Sequence, residues 1–194
     1  MAWNTEETRR RLKEAAVVEF AAAGLAGTRM ERIAERAGIN KERLYRYFGD
    51  KHQLFATVLA DEMARIAAAL PAGTLMADDP GEYAGRCYDY HVEHPHLLRL
   101  LLWEALDGGR GPVSDEPART EHYRRKVADA YPDRPAGRDP LTPERVMFII
   151  MAMAAWWEAV PQVARMMTGV AEVTPQEHAR RRSAVVEAAR RLTA

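Results

Sequence analysis

Apolar residues recur along this chain at spacings of three and four, and no stretch alternates apolar with polar as a half-buried strand would. The pattern predicts helices throughout. A first one over residues 5–23 places Leu12, Ala16, Phe20 and Ala23 on one face, and Gly24 stops it. Thr28 and Glu31 have the spacing of a capping box for a second helix, whose inner face is Ile33, Ala34 and Ala37. Gly38 breaks that helix, Ile39 plugs the turn, and Asn40 caps a short third helix over 41–48 with Leu44 and Phe48 inward. Asp50 and Gln53 open a longer fourth helix over 51–70, lined by Leu54, Val58, Leu59, Met63, Ile66 and Leu70.

Breaks at Pro71-Ala72-Gly73 and at Asp78-Asp79-Pro80-Gly81 separate this part from the rest. Helices are then expected over 82–93, 95–106 and 118–131, with an exposed Pro- and Gly-rich loop over 132–143. A long apolar helix over 144–169 must be kinked or interrupted at Pro161, and an amphipathic helix over 175–192 follows. The count is about nine helices, an all-α fold.

Composition supports that reading. Hydrophobic residues are 47% and charged residues 29%, enough to bury a core. The net charge of zero argues at first against nucleic acid. Its distribution changes the picture: residues 1–55 hold 11 Lys and Arg against 8 Asp and Glu, so the head is basic and the remainder acidic. The single cysteine, Cys87, excludes an internal disulfide and fits a reducing cytoplasm. The first residues are too polar for a signal peptide. The longest apolar run, 146–157, falls short of the roughly 20 residues a membrane span needs, so no membrane association is expected.

The informative stretch is 24–54. Two short helices joined by a tight Gly-containing turn, with a third helix before them, make a helix-turn-helix. The second helix of the pair would lie in the major groove of a DNA duplex. Its outward residues suit that place. Lys41, Arg43 and Arg46 can neutralise phosphate or donate to guanine, and Tyr45 and Tyr47 can donate to phosphate or press on a thymine methyl. Lys51, Thr28 and Arg29 sit at helix starts, where free N–H groups favour phosphate. Taken alone, such tyrosines are more often packing residues than DNA contacts, and the lysines and arginines read as solvated surface.

Thr28, Ile33-Ala34, Ala37-Gly38-Ile39-Asn40, Leu44-Tyr45, Tyr47-Phe48, Lys51 and Leu54 together resemble the DNA-binding signature of the TetR family of bacterial repressors. Only Asn40 departs from it, where Ser or Thr is commoner, and Asn caps equally well. The resemblance implies DNA contacts at Lys41, Tyr45, Tyr47 and Lys51, with Thr28 and Arg29 on the backbone. It implies a helix-turn-helix domain over 1–50 and a helical regulatory domain over 51–194, which dimerises and binds a small-molecule effector. The helices over 144–169 and 175–192 suit a homodimer interface, since an apolar helix of this kind must be covered on all sides; an intrachain core helix is the alternative. Tyr88, His91, Leu98, Leu102, Trp103, Met147, Met151 and Trp157 are candidates for a pocket taking an apolar or aromatic effector. The same residues at helical spacing read as plain core.

Other chemistry finds little support. His94 and His96 flank Pro95 and cannot share a helix face, so no metal is expected. Cys87 has no second cysteine to resolve a sulfenic acid. There is no phosphate-cradling Gly-rich loop and no serine elbow, so neither an enzyme nor a cofactor is expected. A dimeric interaction protein with a degenerate head is the remaining alternative. The basic and aromatic third helix speaks against it.

Overall fold

The computed structural model describes residues 5–132 and 141–194, which contain eleven α-helices and no strand. Most of the expected loop over 132–143 lies outside the described residues. Helices α1 (Thr5–Gly27), α2 (Met30–Ala37), α3 (Lys41–Phe48) and α4 (Lys51–Ala69) follow the expected order. Then come α5 (Gly73–Asp78), α6 (Pro80–Glu93), α7 (Pro95–Gly108), α8 (Glu116–Ala130), α9 (Pro143–Ala159), α10 (Pro161–Thr168) and α11 (Pro175–Thr193).

Two helices exceed the expected nine. One is α5, whose six residues are too few to carry a periodic signal, although Met76 within it is fully buried. The other arises at Pro161, which does not merely kink the apolar stretch: α9 and α10 meet at 85°.

The chain forms two compact units, one from residues up to Arg65 with His96–Ser114, the other from Ile66–Pro95 with Asp115–Ala194. Besides α1 to α3, the first unit takes most of α4 and nearly all of α7. Local hydrogen bonding explains why α7 belongs there. At Gly24, α1 departs from helical geometry (φ 67°), and the Ala21 carbonyl accepts from Arg99 Nε at 2.6 Å and from Trp103 Nε1 at 3.4 Å. A Cβ on Gly24 would stand 2.6 Å from the Trp103 ring. The core of this unit is Leu12, Ala16, Phe20, Ile33, Leu44, Leu54 and Val58, all fully buried, with Phe20 edge-on to Phe55 at 5.1 Å.

The second unit is organised around α6, which packs on α5, α9 and α11. Gly81 and Gly85 let α11 approach closely: a Cβ at either would fall within 3 Å of the Arg190 or Arg182 side chain and of Val186. Arg182 pairs with Asp89 (2.8 Å) and Glu82 (3.1 Å), and Arg190 with Asp79 (2.7 Å). Helix α9 sends Val146, Met147, Ile150 and Ala154 inward. Its Phe148 and Trp156 are 73% and 59% exposed, so one apolar stripe of α9 is left uncovered among the described residues.

Candidate nucleic-acid interface

The turn between α2 and α3 is built from three residues. Gly38 closes α2 in the left-handed region (φ 64°, ψ 34°), which a Cβ would resist. Its N–H donates to Glu35 O and that of Ile39 to Ala34 O, both at 3.0 Å. Ile39 is buried under the turn. Asn40 Oδ1 then accepts from the Arg43 N–H at 2.9 Å and starts α3 as the sequence predicts. The Arg11 guanidinium donates to the Ala37 carbonyl at 2.5 Å, a cation against the open C-terminal end of α2.

Helix α3 buries Leu44 and Phe48 and turns Lys41, Tyr45 and Arg46 outward, with Arg43 and Tyr47 half-buried. The exposed face is therefore mainly cationic and aromatic, with Glu42 its one carboxylate. Lys41 pairs with Glu31 of α2, and its ammonium stands 5.7 Å from the Tyr45 ring centroid. That pairing holds the Glu31 carboxyl below the usual carboxylate range. Arg9 of α1 and Arg46 flank the Tyr47 ring at 5.7 and 5.8 Å. Asp50 and Gln53 form the expected reciprocal box at the start of α4, with bonds of 2.9 and 3.1 Å. Lys51 Nζ donates to the Thr28 carbonyl at 3.2 Å, tying that helix start to the entry of α2.

Thr28 departs from expectation. Helix α2 begins at Met30 with Arg29 at the N-cap, where no side-chain capping bond forms. Thr28 is 3% exposed, and its hydroxyl faces the carbonyls of Gly24 (2.6 Å) and Glu19 (3.1 Å). The capping box with Glu31 is thus replaced by a bond back to α1. Arg29 is exposed.

Three functional supports carry no local signal in the sequence. Arg9 and Arg11 look like outer-face residues of an amphipathic helix. Glu19 looks the same, yet it is buried and binds Arg32 (3.1 Å) and Arg36 (2.8 Å), locking α1 to α2. Each depends on which helix comes to lie beside α1.

The eight effector candidates do not gather at one site in either unit. Leu98, Leu102 and Trp103 belong to the first unit, with Trp103 seated on Gly24. In the second unit, Tyr88 is buried and its hydroxyl meets His178 Nδ1 at 2.8 Å. Trp157 lies under the Arg181 guanidinium at 5.0 Å, and His91 is buried against α8. Met147 and Met151 alone line a cavity of about 740 Å³ between α8 and α9, together with Tyr123, Val127 and Phe148. Burial pushes the Cys87 thiol up to about 11, which keeps it protonated. Among the described residues no cluster of three or more His, Cys, Asp or Glu side chains could hold a metal ion. No single described helix is long and apolar enough to cross a membrane, although α9 and the bent α10 together reach that length and composition.

Comparison with known proteins gives a consistent result. A profile described as "Bacterial regulatory proteins, tetR family" matches residues 12–58, and one described as "Tetracyclin repressor-like, C-terminal domain" matches 79–191. The HTH-type transcriptional repressor SCO4008 of Streptomyces coelicolor is 41% identical over 170 residues, covering 87% of each chain. The HTH-type transcriptional repressor NicS of Pseudomonas putida is 34% identical over 112 residues, 56% of this chain and 53% of that protein. Among solved structures, the transcriptional regulator SCO4942 of Streptomyces coelicolor superposes with a TM-score of 0.76 at 28% identity, over 95% of this chain and 97% of that one.

Proposed function

Given that the chain belongs to the TetR family of bacterial transcriptional regulators, we propose that it is a homodimeric repressor that reads a palindromic operator with α3 and releases it on binding a small effector. Proteins of this family typically bind DNA as dimers and respond to small molecules. One observation carries the reading for this chain: α3 is anchored by Leu44 and Phe48 and presents Lys41, Tyr45 and Arg46 to solvent. In the groove, Lys41 would exchange Glu31 for phosphate, and Tyr45 and Tyr47 would meet phosphate and sugar or a thymine methyl. Lys51 keeps two N–H donors beyond the one given to Thr28, and with the N-terminus of α4 it makes a phosphate seat. Arg29, Arg43 and the cap residue Asn40 complete the candidate face.

Two copies are needed to read a palindrome, with recognition helices about 34–36 Å apart or somewhat farther on the same face of the duplex. The uncovered stripe of α9, with Phe148 and Trp156, favours an interface made by the apolar segment over 144–169 and by α11. The cavity lined by Met147 and Met151 suits an apolar or aromatic effector. Helix α4 begins beside the head, and its last turn belongs to the second unit. In this reading the effector shifts α4 and with it the spacing of the two heads. Effector and operator then weaken each other by the same factor.

The test is selection of genomic fragments by the purified protein, followed by sequencing and titration at two salt concentrations. A palindromic site bound with a steep salt slope is expected. Weak binding without sequence preference would overturn the reading.

A further inference from the structure

The second unit holds a group of polar side chains that DNA binding does not use. Tyr83, Cys87 and His91 follow one another at four-residue spacing on α6, and all three are buried. His91 is 7% exposed, and its Nδ1 has no hydrogen-bond partner. Across from this row stands Lys126 of α8, its ammonium 5.5 Å from the Tyr83 ring centroid.

Lys126 is half-buried and makes no ion pair with any described carboxylate. Burial lowers its affinity for a proton, and ionisation of the Cys87 thiol beside it would oppose that. That thiol is held protonated by its own burial. A desolvated cation facing a tyrosine, a thiol and a neutral imidazole is costly unless an anion completes the group. Lys126 also lines an open cavity of about 340 Å³. The wall of that cavity is apolar at Leu70 and Ala72; its rim carries His122, Arg125 and one carboxylate, Asp129. The cavity is open to solvent, and the charge at its rim leans positive.

We infer that Lys126 is the anchor of a second ligand site, which takes a small organic anion with an apolar body. The anionic group meets Lys126, and the body lies against Leu70 and Ala72. This site is on the opposite side of α8 from the cavity lined by Met147, and it does not depend on DNA recognition.

The full-length protein is tested without DNA, by thermal unfolding at constant ionic strength. The probes are benzoate and its neutral isostere benzamide, each at high millimolar concentration. Benzoate raises the midpoint by about 3 °C or more over benzamide. Lys126→Met abolishes that difference, and Lys126→Arg retains part of it. Without any probe, Lys126→Met unfolds no lower than the parent, because an unpaired desolvated charge has been removed. Equal midpoints in the two probes would overturn the inference. So would a benzoate effect that survives in Lys126→Met, or a Lys126→Met protein several degrees less stable when unliganded. Since no operator is present, none of these outcomes bears on the repressor reading.

Discussion

At the scale of single residues, the head is held by polar groups that look like surface in the sequence. Glu19 is the clearest. Its carboxylate is buried, but Arg32 and Arg36 remain about half exposed, so solvent screens part of the attraction. Replacing it with Ala leaves both guanidinium groups to water and one cavity in the core. A loss of about 1–2 kcal/mol is expected in denaturant unfolding. Gly24→Ala meets the Trp103 ring at 2.6 Å in a left-handed backbone, and should lower the thermal midpoint more than any exposed Gly→Ala change, such as Gly109→Ala. His91 gives a pH signature. Burial drives its imidazole down to about 4 from an ordinary 6.5, so it is neutral in the folded protein where the unfolded chain already takes up a proton. Stability from this group is complete above pH 6.5, falls as pH drops toward 4, and is level below that. His91→Phe should flatten that part of a stability–pH curve, with a slope change of at most about 1.4 kcal/mol per pH unit.

At the scale of elements, most of the molecule was legible. The Gly38-Ile39-Asn40 turn and the Asp50–Gln53 box are local devices: the backbone groups they satisfy lie within five residues, so spacing alone predicts them. Asn40→Ala should cost about 1 kcal/mol through its lost cap, measurable by the same unfolding experiment. Thr28 misled for the converse reason. Its spacing to Glu31 fits a box, but carbonyls of α1 compete for its hydroxyl, and a local pattern carries no record of a neighbour nine residues back. Helix α5 was too short to register. The effector candidates are a different case: aromatic and thioether side chains at helical spacing signal burial without saying which unit they are buried in, and Leu98, Leu102 and Trp103 fall in the first unit. Helix α9 carries an exposed apolar stripe, with Phe148 and Trp156 in it. Trp156→Asp combined with Phe148→Asp should turn the dimer into monomer in sedimentation, with the helical circular-dichroism signal kept. A dimer that survives would move the interface elsewhere.

At the scale of the whole molecule, two conditions suit a chain of zero net charge to a polyanion: charge that is segregated and heads that act in pairs. The basic excess of the first 55 residues supplies the first condition, and the proposed interface the second. A monomeric variant should therefore lose operator affinity far beyond a single charge deletion, because one half-site contributes only part of the binding energy. In the proposed repressor, the exposed face of α3 reads DNA. The most direct measurement is fluorescence anisotropy on a selected operator duplex, comparing the parent with the Lys41→Ala, Tyr45→Ala double variant at fixed salt. The variant should bind at least about a hundredfold more weakly, since each dimer loses two contacts per head, with its unfolding midpoint unchanged. Equal affinity in the two proteins would contradict the account and leave the helical body as the seat of function.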